Sequence, residues 1–308
     1  MNAGSTTRAD EALPVSVLIP TIGREPQLRA CLESLARCDR RADEILVIDQ
    51  SGSDEIPRLV GDYASIGARV VHCSGRGLGL ADNVGLDNAR NEIVLGTHDD
   101  CAVAADWISK AWAAMAGDPK KLVTGRVLPG AADPRTVPST KDDPAPRELT
   151  GELLPGLLYP ANMAVSRTLA LELGGFDERI EAAEDNDFCY RWLRAGNRMF
   201  YDPSLVVTHN EWRTHEELER LYVKYWHSQG VFYAKHLRRG DLHMLRFIAL
   251  DVRYAATGVA ARVFRGRPRW ADWRRGIVRG LPAGLIDGWR RFGSDTHERV
   301  APHAGRSG

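Results

Sequence analysis

From Pro14 to about residue 210, apolar runs dense in β-branched residues alternate with segments whose apolar positions recur every three or four residues. Val15-Ser16-Val17-Leu18-Ile19 ends at Pro20-Thr21 and reads as a buried strand. Pro26 suits the first turn of a following helix, in which Leu28, Cys31, Leu32 and Leu35 fall at i, i+3, i+4 and i+7. Glu44–Asp49 is the next strand, closed by Gln50-Ser51-Gly52-Ser53. Further strands are expected at 69–73, 92–97 and 122–127, with helices near 81–89 and 107–116. A last strand, Ser204–Thr208, leads into His209. Strands alternating with helices predict a mainly parallel sheet covered by helices.

Between Pro129 and Pro155 the chain is rich in proline and shows little periodicity, so a long loop is expected, either a functional lid or disordered. Order returns over 157–165. Gly174-Gly175 then turns the chain into an acidic stretch that opens a helix over 185–195, with Phe188 and Trp192 on one face. Beyond residue 216 the pattern is helical, with Tyr222, Tyr225, Trp226, Phe232 and Tyr233 followed by a charged amphipathic run over 242–264. The expected organisation is a disordered start (1–12), an α/β domain (13–215), a basic helical region (216–292) and a loose tail (293–308).

Formal charge balances to zero overall, yet over residues 216–308 Lys and Arg outnumber Asp and Glu about two to one. The five cysteines are scattered with no C-x-x-C pair, which speaks against structural zinc and fits reduced thiols in a cytoplasmic protein. No uncharged stretch reaches the roughly 18 residues of a membrane span, and the first dozen residues lack an apolar signal core. Arginines set among apolar helical stretches suit packing or peripheral contact with an anionic membrane face better than nucleic acid, so no nucleic-acid partner is expected.

Ligands of parallel sheets bind at the carboxyl ends of strands, where Thr21, Asp49 and His98-Asp99-Asp100 lie. Acids at a strand end suit a hard cation, or else serve a local turn. Glu184, Asp185 and Asp187 crowd the first turn of their helix. They either cap it or supply a carboxylate held ionised by the helix end, able to act as a general base.

Taken in order, Ser16–Thr21 with Arg24, Glu44–Asp49 with Ser51-Gly52-Ser53, Ala81–Leu86, Asp99-Asp100, Gly174–Glu178, Glu184-Asp185 and His209 resemble the family 2 glycosyltransferases. That resemblance implies the GT-A fold: α/β, with a mainly parallel nucleotide-binding sheet flanked by helices, here followed by a C-terminal helical appendage. It implies an inverting transfer from a nucleoside-diphosphate sugar to an acceptor hydroxyl, in cell-surface polysaccharide, cell-wall or glycoconjugate synthesis. Pro20, Thr21, Arg24, Asp49 and Ser51 would hold the donor, with Asp99 near the ribose and Arg76, Asp82 and Asn83 as further contacts. Asp100 would bind a divalent cation, Mg or Mn, with His209 and His98 as further ligands. Asp185 would be the base, and Asn162, Glu184 and Arg191 would meet acceptor or sugar. A glycan, lipid-linked or small-molecule acceptor fits, as does a cytoplasmic enzyme peripheral to the inner membrane face.

Three positions depart from the family pattern. Gln50 stands where a second acid is frequent, His98 where an acid is usual, and Asp82 where a basic residue is common; Arg76 is a candidate substitute for the last. Related alternatives are a nucleotidyltransferase, or an inactive nucleotide-sugar-binding protein of the same fold. Gly75, Gly77 and Gly79 lack the spacing and position of a dinucleotide turn.

Overall fold

The computed structural model describes residues 11–130, 140–153, 158–210, 215–265 and 271–293, without the side chains of 215, 257–265 and 271–275. The expected disordered start up to residue 10 and the expected tail from 294 lie outside the described residues. In chain order the elements are β1 (Leu13–Thr21), α1 (Glu25–Ala36), β2 (Ala42–Asp49), α2 (Glu55–Gly61), β3 (Ala68–His72), α3 (Leu78–Asn88), β4 (Ile93–Gly96), β5 (Cys101–Val103) and α4 (Trp107–Met115). There follow β6 (Lys121–Pro129), β7 (Arg147–Thr150), β8 (Met163–Ser166), α5 (Arg167–Glu172), α6 (Glu184–Arg194), β9 (Arg198–His209), α7 (His215–Arg238), α8 (Met244–Arg265) and α9 (Ala271–Arg291).

Contacts divide the chain into two compact units. The first holds the sheet, from residues up to Phe176 and from Phe188 through β9; the second joins Asp177–Asp187 to α7, α8 and α9. In the first, the strand order is β3-β2-β1-β4-β8-β6-β9-β5, with β7 added on β9. Strands β3, β2, β1 and β4 are mutually parallel, while β8, β5 and β7 pair antiparallel with their neighbours and β6 runs parallel to β9. The expected parallel order therefore holds over one half of the sheet, and the other half is mixed.

Hydrophobic alternation in β1 places Val15, Val17 and Ile19 in a core with Leu28, Cys31, Leu32 and Leu35 of α1 and with Trp107, Ile108 and Ala111 of α4. Ser16, between these positions, is also buried; its hydroxyl donates to the fully buried Glu44 carboxylate at 2.7 Å. Within the Pro129–Pro155 stretch, β7 is an ordered strand that periodicity did not reveal, whereas 131–139 and 154–157 lie outside the described residues.

The second unit is packed backbone to backbone. Gly276, Gly280, Gly284 and Gly288 recur every four residues on α9 and face α7; a Cβ at Gly284 would stand 1.9 Å from the His227 carbonyl oxygen. Only glycine permits such an approach.

Candidate functional site

In the sheet unit, backbone register brings the expected donor residues to one edge. Pro20 and Thr21 of β1 lie opposite Ile48 and Asp49 of β2, and Leu18 lies opposite Gly96 at the end of β4. The Asp49 carboxylate is fully buried. Its Oδ1 accepts from the Ser51 amide at 2.8 Å and the Ser51 hydroxyl at 2.5 Å, while Oδ2 has no hydrogen-bond partner among the described residues and lies 4.0 Å from His72 Nδ1. A buried carboxylate oxygen left open is costly unless something donates to it.

Gln50, one of the three departures from the expected pattern, has a definite task. Its amide nitrogen donates to the Gly75 and Gly77 carbonyls, each at 3.0 Å, and so clamps the glycine turn that carries the exposed Arg76. That role was not legible from a lone glutamine after a strand.

Beside this edge, Arg24 bridges the acid pair. Its guanidinium forks onto Asp99, with Nε donating to Oδ2 at 3.1 Å, and its other nitrogen lies 3.3 Å from Asp100 Oδ2. The Thr21 hydroxyl donates to Asp99 Oδ2 at 2.7 Å. Burial raises the Asp99 pKa, against the opposing hydrogen bonds from Arg24 and Thr21. At Asp100 burial also acts upward, but it is outweighed by His209 and by the charges of His98 and Arg24, which hold the carboxyl well below its usual range.

His209 Nε2 lies 3.7 Å from Asp100 Oδ2, so the last strand delivers its histidine to the acid pair as expected. The Tyr159 ring stands 5.6 Å from the His98 ring and 5.9 Å from that of His209, with the Lys141 ammonium 5.7 Å over its face. Neither Tyr159 nor Lys141 stands out in sequence: Lys141 sits in a stretch with little periodicity, and Tyr159, in a short ordered run, reads as an ordinary aromatic position. Among the described residues no three His, Cys, Asp or Glu side chains enclose a cation alone. Asp100 and His209 offer one oxygen and one nitrogen donor on the same side, which fits an ion completed by oxygens of a diphosphate and by water.

Several expected ligand contacts are structural instead. The Asn83 amide donates to the Phe176 carbonyl at 2.9 Å and accepts from the Phe176 amide at 2.8 Å, binding α3 to the glycine turn. Gly175 has φ of 62° there, and a Cβ would stand 2.3 Å from Asn83 Oδ1. Arg191, expected at acceptor or sugar, donates to the carbonyls of Leu173 at 2.7 Å and Gly175 at 2.5 Å, bracing the same turn. Asn162, also expected there, is fully buried; Trp107 Nε1 donates to its Oδ1 at 2.9 Å, and its Nδ2 donates to Arg126 and Leu205 carbonyls. With its amide spent inside the core, it is unavailable to a sugar. Asp82 is buried in α3.

In the other unit, Asp185 stands in the first turn of α6 and accepts the Asn186 amide on Oδ1 at 2.7 Å; Glu184 beside it is buried. Asp187 reads from sequence as the plain cap of that turn. It is instead fully buried in an ion cluster with Lys235 and His236 of α7.

Residues 16–165 match the family described as glycosyl transferase family 2. The chain is 24% identical over 229 residues to the pre-mycofactocin glycosyltransferase of Mycobacterium tuberculosis, covering 71% of this chain but 46% of that protein. The chain thus spans about half the length of that relative. It is 23% identical to the glucosyl-dolichyl phosphate glucuronosyltransferase of Haloferax volcanii over 70% of this chain and 75% of that one. In fold it resembles a mannosyltransferase of Pyrobaculum calidifontis solved with GDP-Man and Mn2+, with TM-score 0.65, 20% identity and coverage of 91% and 89%. It likewise resembles S. aureus TarS 1-349 in complex with UDP-GlcNAc, with TM-score 0.63, 18% identity and coverage of 90% of each chain. The strand order, the acid pair with its histidine and these likenesses agree: over residues 16–165 the chain is a glycosyl transferase family 2 domain, and its fold is GT-A.

Proposed function

We propose that the protein moves a sugar from a nucleoside-diphosphate sugar to an acceptor hydroxyl with inversion at the anomeric carbon. The observation that carries this reading is the buried, open Oδ2 of Asp49 at the strand edge that also holds Thr21, Arg24 and the acid pair. Such an oxygen suits a ring N–H beside a carbonyl, which uracil (N3–H) and guanine (N1–H) have and adenine and cytosine lack. The nucleotides in the two structural neighbours, GDP-Man and UDP-GlcNAc, carry one each.

Asp100, held ionised beside His209, would hold a divalent cation, and the imidazole favours Mn over Mg. When bound, the cation neutralises charge on the departing diphosphate. Asp185 takes the proton of the acceptor hydroxyl as its oxygen bonds to the anomeric carbon and the bond to the diphosphate oxygen breaks. The helix N-terminus on which it stands favours a carboxylate.

For the acceptor we favour a lipid-linked one at an anionic membrane face. Leu242, Leu245, Leu250 and Val252 of the α8 region and Val278, Ile286 and Trp289 of α9 are exposed, among exposed arginines. No described helix is long and apolar enough to cross a membrane. Such helices lie on the surface, and loss of binding to anionic vesicles is expected on deleting residues 240–308. Thermal-shift screening with Mn2+ is expected to single out a uridine or guanosine diphosphate over ADP and CDP. Asp185→Asn then separates base from cap: transfer is expected to fall at least about 100-fold with donor affinity retained. Equal transfer by this variant would remove Asp185 from the mechanism.

A further inference from the structure

We propose that Lys235 is a positioning residue for the acidic segment, one ammonium clasping both ends of Asp177–Asp187 and so fixing the turn on which Asp185 stands. The inference rests on the reading of Asp185 as the base. Lys235 is 2% exposed on α7, its Nζ 2.6 Å from Asp187 Oδ1 and 2.8 Å from Asp177 Oδ2. The next residue, His236, places Nε2 2.8 Å from the same Asp187 oxygen. Burial lowers the His236 pKa against the pull of Asp187, so a neutral ring donates its Nε2 hydrogen to the carboxylate.

The other end is tied as firmly. Arg179 pairs with Asp177 at 2.9 Å and lies over the Phe292 ring at 4.3 Å. Burial raises the Asp177 pKa, but Arg179 and Lys235 outweigh that and hold it at about 2. Among the described residues, Asp177 and Asp187 thus face the cations Arg179 and Lys235. Between these ends, the Asn186 side chain donates to Gln229 of α7 at 2.9 Å, and Gln229 donates onward to the Tyr233 hydroxyl at 2.9 Å. Both residues that follow Asp185 are therefore tied to α7.

A cluster kept only for stability would be replaceable by apolar packing, because a buried ion pair scarcely outweighs its own desolvation. What directed charges supply is a fixed orientation, which a general base needs. On this account α7 holds the acidic segment in place and is more than an appendage.

The test is Lys235→Met in the full chain, read by peptide-level hydrogen exchange and by steady-state kinetics. Amides of 177–187 are expected to exchange at least about tenfold faster, with peptides of β1–β4 unchanged. Turnover at saturating substrates is expected to fall at least about thirtyfold, with nucleoside-diphosphate affinity and donor KM held within about twofold. Unchanged exchange in 177–187 would overturn the proposal, as would full turnover despite faster exchange there. Asp177→Asn removes one arm only and is expected to shift both readings the same way by less, which keeps the test available should the methionine variant not fold. If the wild-type protein transfers no sugar, the reading of Asp185 falls, while the exchange arm still decides whether Lys235 holds the segment.

Discussion

Two buried charge clusters, one in each unit, share a plan: one basic side chain bridges two carboxylates, and a histidine meets one of them. In the sheet unit Arg24 spans Asp99 and Asp100, with His209 beside Asp100. In the helical unit Lys235 spans Asp177 and Asp187, with His236 on Asp187. They differ in closure. Arg24 keeps 20% of its side chain exposed, the His209 contact is long at 3.7 Å, and Asp49 nearby leaves an oxygen open. Lys235 keeps 2%, and its contacts are 2.6 and 2.8 Å. Slack in the first suits charges that must turn toward a ligand. Tightness in the second suits charges that hold a segment still.

The sharpest way to break this comparison is to neutralise one acid in each. Asp187→Asn leaves the Lys235 ammonium with half its compensation and is expected to cost about 3–5 kcal/mol of stability, read by chemical denaturation. Asp100→Asn is expected to lower transfer at least about 100-fold while moving the thermal midpoint far less. A reversed outcome, with Asp100→Asn the unfolding variant and Asp187→Asn silent in stability, would end the distinction.

A smaller effect tests what sequence could and could not reveal. The fold was legible because strand runs and helical spacing report burial, and Thr21, Asp49, Asp99, Asp100 and His209 stand at the strand ends where the pattern put them. Asn162, Asn83 and Arg191 misled because an amide or a guanidinium serves a sugar and a backbone carbonyl equally well, and only tertiary contacts tell which it has. Lys235 and His236 were invisible for the opposite reason, since within a helical repeat they read as ordinary polar positions. Asn162→Ala is accordingly expected to cost about 2–3 kcal/mol, by orphaning Trp107 Nε1 and two carbonyls, and to leave acceptor KM unchanged. A raised KM in a fully stable variant would restore Asn162 to the site.

The smallest expected effect separates the acids of the helical unit by their response to pH. Asp177, held at about 2, contributes stability that is present above its ordinary value of 3.8 and lost as pH falls toward 2. Asp251, which accepts from the Tyr233 hydroxyl at 2.6 Å, behaves oppositely. Burial raises it from 3.8 to about 6, so between those values the folded chain holds a proton that the unfolded chain has released. Stability must then fall as pH rises through that window, with the penalty complete above about pH 6. Asp251→Asn removes this titration, and with solvent screening on its open side counted, it is expected to gain about 1–2 kcal/mol over wild type at pH 7.5 and almost nothing at pH 4. Denaturant midpoints at the two pH values check it. A gain equal at both would mean that packing at Asp251, and not its charge, sets the difference.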